Sequence, residues 1–77
     1  MQLGTRWTAG GDPPARLSAE VVAAIREVDA QYAAASPAPR WTLTWLEGRP
    51  VAELDDGQIV TIVTTDAAGV PVVRIED

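Results

Sequence analysis

The 77-residue chain sets six basic residues, all arginine, against eleven carboxylates, giving a net charge of −5 and a sequence pI near 4.4. It contains no cysteine, histidine or lysine. These absences exclude thiolate and imidazole catalysis, Cys/His zinc sites, Schiff-base chemistry and the phosphate-gripping lysine of a P-loop, and the acidic surface repels nucleic-acid backbones.

At this length residues 1–77 form one small domain that no disulfide or zinc ion can staple, so stability must come from a compact core, tight turns or a second copy. The N-terminal residues have no apolar core of signal-peptide length. The longest apolar run, Val21 to Ile25, is far short of a membrane span. A soluble cytoplasmic protein with no membrane partner is expected.

The alternation in Leu3-Gly4-Thr5-Arg6-Trp7 predicts a short strand within residues 1–9. Residues 10–17 read as a Gly/Pro loop, because Gly10-Gly11-Asp12-Pro13-Pro14 interrupts regular structure and its two prolines remove the donors a phosphate-binding loop would use. A helix is expected over residues 18–34. Ser18 can cap it, Leu17 and Val22 can staple its start, and Val21, Ile25, Val28 and Tyr32 fall on one stripe. Pro37 and Pro39 end it.

Residues 40–77 read as an antiparallel β-meander. Trp41 to Trp45 alternates strictly, and Gly48-Arg49 suits a two-residue turn; that turn and a four-residue loop from Glu47 to Pro50 give the same register, pairing Leu46 with Val51 and Trp45 with Ala52. Asp55-Asp56-Gly57 predicts a three-residue loop rather than a metal site, since no calcium-loop spacing surrounds it. Gln58 to Thr64 is the most β-prone run. Asp66-Ala67-Ala68-Gly69 makes a third turn, and Pro71 assigns the strand over Val70 to Ile75 to an edge or to its own first residues. The expected fold is α+β, in the order β-α-β-β-β-β. One helix packs on one face of the meander, with the N-terminal strand at an edge or beside the last strand.

These registers place Trp41, Leu43, Trp45, Ala52, Leu54, Val60, Ile62, Val73 and Ile75 under the helix. The opposite, uncovered face is expected to carry Thr42, Thr44, Glu53 and Arg74 together with Leu46, Val51, Ile59, Thr61, Val63 and Val72, the last six as a candidate interface. Trp41 and Trp45, with Arg40 and Arg74, form a candidate ligand groove between helix and sheet, although large aromatics in so small a chain more often supply core.

The run from Arg40 to Gly57, with the opening Met1 to Trp7, resembles a group of short hypothetical proteins of high-GC actinobacteria. Members of that group sometimes carry the label Fe–S oxidoreductase. The resemblance brings no functional motif and assigns no site, and an iron–sulfur cluster would need thiolates that this chain lacks. Neither a cofactor nor an enzymatic activity is expected. The sequence points to a non-catalytic protein–protein interaction module, homodimeric through the uncovered face or an edge strand. A small-molecule or peptide binder using the Trp/Arg groove is the alternative.

Overall fold

A computed structural model describes residues 4–76. Its order is β1 (Thr5–Thr8), α1 (Ala19–Gln31), β2 (Arg40–Leu46), β3 (Arg49–Asp55), β4 (Val60–Thr65) and β5 (Pro71–Glu76). The five strands form one antiparallel sheet in the order β1-β2-β3-β4-β5, the α+β meander expected from the sequence. β1 lies at the edge beside β2, and β5 forms the opposite edge. The expected strand began at Leu3, which lies outside the described residues.

Ser18 caps α1 by accepting the Val21 N–H at 3.3 Å. Leu17, Val21, Ile25 and Val28 are buried, while Val22 and Tyr32 pack at the margin of the core. The helix ends at Gln31, three residues before the expected boundary at Ala34. The Tyr32 N–H bonds the Asp29 carbonyl and the Ala35 N–H the Tyr32 carbonyl, so the last turn tightens and releases the chain toward β2.

The first hairpin closes one position earlier than the sequence suggested. Glu47 and Gly48 occupy the turn with φ of +52° and +80°, the two positive angles of a type I′ turn, and Leu46 pairs with Arg49. The closing residue of a two-residue turn donates its N–H across the turn, which Pro50 cannot do and Arg49 can. The register therefore shifts by two, pairing Trp45 with Pro50 and Leu43 with Ala52. An even shift leaves every side chain on its expected face.

In the second hairpin the shift is odd. Asp55 pairs with Val60 around a four-residue loop, Asp56 to Ile59, instead of the expected three-residue loop. Asp56 sets that length: its Oδ1 accepts the N–H groups of Gln58 and Ile59, and its own N–H bonds the Ile59 carbonyl. Consequently Thr61, Val63 and Thr65 lie under the helix opposite Leu54 and Ala52. Val60, Ile62 and Thr64 turn to the uncovered face.

The core sits between α1 and the middle of the sheet, where Trp41, Leu43, Ala52, Leu54 and Val63 meet Val21, Ile25 and Val28. Trp7 stacks on Trp41 with centroids 5.9 Å apart, extending cover over β1. The Trp41 Nε1–H donates to Asp29 Oδ1 at 2.8 Å inside the core.

Candidate functional site

Two of the four groove residues separate from the other two. Trp41 is fully buried and its indole is satisfied by Asp29, so it is a core residue. Trp45 is half-buried beneath the Arg16 guanidinium, 5.6 Å from the ring centroid. Arg40 and Arg74 belong to the opposite face, because each follows or precedes a helix-facing neighbour by one residue along its strand. They are also three strands apart, since Arg40 lies in β2 and Arg74 in β5. The Trp/Arg groove is therefore not assembled.

The candidate interface is rearranged by the odd slip. Leu46, Val51 and Val72 stand on the uncovered face as expected. Ile59 falls in the loop before β4, and Thr61 and Val63 are buried beneath α1. Val60 and Ile62 take their places, so this face still holds five aliphatic side chains. Ile62, however, is only 3 % exposed, and the register sets it between Glu53 and Arg74. Charged residues interrupt the remaining apolar surface: Arg6, Arg40, Arg49, Glu53, Asp55, Arg74 and Glu76.

Apolar exposure is concentrated elsewhere. Among the described residues five large hydrophobics stand exposed, and four of them lie on or just before β5: Val70, Val72, Val73 and Ile75. Val73 and Ile75 occupy the helix side yet remain 49 % and 63 % exposed. The reason is width. A helix covers about 10 Å, whereas five strands at about 4.8 Å spacing span roughly 19 Å between outer axes. At the β1 side Trp7 fills the deficit; at the β5 side α1 passes close by but presents the short side chains of Ala23 and Ala24, which leave Val73 and Ile75 uncovered. An open groove remains between α1 and β5, lined by Ala23, Ala24 and Val28 below Pro71 and Val73, with Glu20 and Glu27 on its rim.

The backbone of β5 is as open as its side chains. Asp66 N–H bonds the Val70 carbonyl, which fixes the ladder phase. Alternation then directs the N–H and C=O groups of Val72, Arg74 and Glu76 to β4 and turns those of Val73 and Ile75 outward. Pro71 also faces outward, where its missing N–H disturbs no bond to β4. Sequence reading placed Pro71 at an edge but missed Val73 and Ile75, because their exposure depends on the sheet being wider than the helix.

A second concavity, of about 810 Å³, opens at the end of the sheet between Arg6, Arg40, Thr42, Tyr32, the 35–39 segment and the β3–β4 loop. Arg6 pairs with Thr42, two residues from Arg40, so the two guanidinium groups belong to diagonal neighbours on one face. Among the described residues the one ion pair is Arg26–Asp12, at 3.3 Å. Asp56 is held below its ordinary value of 3.8 chiefly by the Ile59 and Gln58 N–H groups, with the Tyr32 hydroxyl adding to them. Tyr32 donates to Asp56 Oδ2 at 3.0 Å. Burial first, and then that hydrogen bond and charge, raise the phenol above 10.0 against an opposing contribution from Thr61. Asp56 fastens the loop to the helix end through Tyr32, and Asp55 accepts the Gly57 N–H at 2.8 Å within the loop, the turn role expected from the sequence. Among the described residues no group of three or more Asp or Glu side chains is arranged to hold a metal ion. No helix among them is long and apolar enough to cross a membrane.

Comparison with protein families, curated proteins and solved structures returns no match to this chain.

Proposed function

We propose that the protein is a non-catalytic interaction module that forms a homodimer by adding strand to strand at β5. The observation that carries this reading is the coincidence, on one edge, of outward backbone groups with exposed Val73 and Ile75. Edge strands are ordinarily blunted by charge, proline, bulges or cover; β5 has a proline at its start, and its two charged residues, Arg74 and Glu76, both stand on the face away from the helix, leaving Val73 and Ile75 unguarded on the other. The uncovered sheet face is the weaker surface, because its central Ile62 is already sheltered and its surroundings are charged.

Sedimentation equilibrium tests the proposal. The wild-type chain should be dimeric at micromolar concentration. The double variant Val73→Lys/Ile75→Lys should be monomeric with unchanged far-ultraviolet circular dichroism, and Leu46→Lys on the other face should leave the dimer intact. A wild-type monomer throughout, or dimerisation that survives the double substitution, refutes the reading.

A second reading rests on the diagonal Arg6–Arg40 pair in the sheet-end concavity. Two cationic groups around the Thr42 hydroxyl suit a small carboxylate ligand. Calorimetric titration with a dicarboxylate should give heat that Arg40→Ala abolishes.

A further inference from the structure

We infer that the two copies join antiparallel about a two-fold axis at Val73, producing one ten-stranded sheet with both helices on the same side. This rests on the β5 reading and specifies its register. Because only Pro71, Val73 and Ile75 of the described strand turn their backbone outward, any β5–β5 ladder must bond these positions to one another. An axis perpendicular to the sheet keeps like faces together, leaving four compact registers, centred on Val72, Val73, Arg74 or Ile75. Centring on Val72 makes Pro71, which has no N–H, a member of every hydrogen-bonded pair within the strand and sets Ile75 against Gly69, beyond the partner strand.

The register centred on Arg74 puts two guanidinium groups directly opposite at a closely spaced pair, where like charges destabilise. Centring on Ile75 opposes Arg74 to Glu76, which is favourable, but engages only the end of the strand and leaves Val70 and Val72 uncovered.

Centring on Val73 sets Val73 against Val73 and Pro71 against Ile75 on the helix side, and Val72 against Arg74 and Val70 against Glu76 on the other. All four exposed aliphatics are then covered, and no like charges lie directly opposite. The missing Pro71 N–H costs one bond at each end of the ladder. A second copy fits this edge because each chain's Val70, Val72, Val73 and Ile75 supply the apolar cover that the other's lack. Glu20 and Glu27 of both chains approach across the joined grooves. Added salt should therefore strengthen the dimer, whereas salt weakens one held by Arg–Glu pairs.

A chain without cysteine permits a clean test. In the Val73 register the Val73 Cα atoms lie about 5.5 Å apart, within the ~4.4–6.8 Å span of a disulfide. The two Ile75 Cα atoms are about 14 Å apart along the strands. Single variants Val72→Cys, Val73→Cys, Arg74→Cys and Ile75→Cys are oxidised at a concentration where the dimer is populated. Val73→Cys should cross-link at least roughly tenfold faster than the others. A mixture of Val72→Cys and Arg74→Cys chains should give the mixed dimer, an independent check on the opposite face. Fastest cross-linking at Val72, Arg74 or Ile75 overturns this register while leaving dimerisation at β5 intact. Loss of the dimer itself, read by sedimentation of the wild type, is instead the failure of the β5 reading.

Discussion

Removing the acceptor of the core indole tests whether the Trp41–Asp29 contact holds the helix to the sheet. Trp41 Nε1 donates to Asp29 Oδ1 at 2.8 Å, and both side chains are buried. Asp29→Ala strands the indole N–H in the core, costing about 1–3 kcal/mol. It also removes Asp29 Oδ2, a buried oxygen with no partner, which offsets part of that loss. The diagnostic quantity is therefore the coupling in a double-mutant cycle with Trp41→Phe, expected at about 1–2 kcal/mol. A domain of this size has a total stability of only about 4–11 kcal/mol. At a urea dependence near 1 kcal/mol/M, the single variant should lower the unfolding midpoint by about 1 M or more. Urea titrations followed by far-ultraviolet circular dichroism avoid dependence on the altered tryptophan. A coupling energy below about 0.5 kcal/mol would refute the reasoning, since mere proximity would then explain the contact.

Two further outcomes follow from the turns. Glu47 holds a left-handed conformation that a non-glycine residue adopts at a cost of about 1–2 kcal/mol, so Glu47→Asn should stabilise the domain by about 0.5–1 kcal/mol. Thermal unfolding checks this, and a lowered midpoint counts against the type I′ assignment. The protein's single tyrosine should titrate above 10.0, as read from phenolate absorbance, and Asp56→Ala should bring it down. In stability terms, the raised Tyr32 contributes below pH 10.0, and that contribution is lost as pH rises through its folded value. The lowered Asp56 contributes above pH 3.8, and its contribution is lost as pH falls through its folded value. The loop clasp is thus strongest between those limits. An unchanged Tyr32 titration in Asp56→Ala would show the hydrogen bond to be unimportant.

The elements were readable from local rules because each is announced by local chemistry: Ser18 before the stripe, Gly48, Gly57 and Gly69 at the turns, and Pro71 at the outer strand. Register was less accessible. At the first hairpin, ignoring the missing N–H of Pro50 moved the pairing by two residues and harmed nothing. At the second, overlooking Asp56 as the side-chain acceptor for Gln58 and Ile59 reversed the faces of β4. Asp66 performs the same service before β5, accepting from Ala68 and Val70. Asp29 had a signal in its spacing of four from Ile25, on the buried stripe, but an acid in a core pattern invites being read as surface. The separation of Arg40 and Arg74 followed only once the strand order was known. The open flank of β5 needed the relative widths of helix and sheet, which no periodicity carries.

The connectivity also decides where the chain's closure entropy falls. β2 through β5 are joined in sequence by loops of a few residues, whereas β1 reaches β2 only after the entire excursion through α1, from Ala9 to Pro39. Loop closure grows costlier with length, so one seam bears most of the expense of ordering this fold. That seam is a strand of only four residues, reinforced by the Trp7–Trp41 stack and by the Ala9 N–H on the Pro39 carbonyl. The helix is thus an insertion within a hairpin, and the short strand that begins it is the latch that returns it to the sheet.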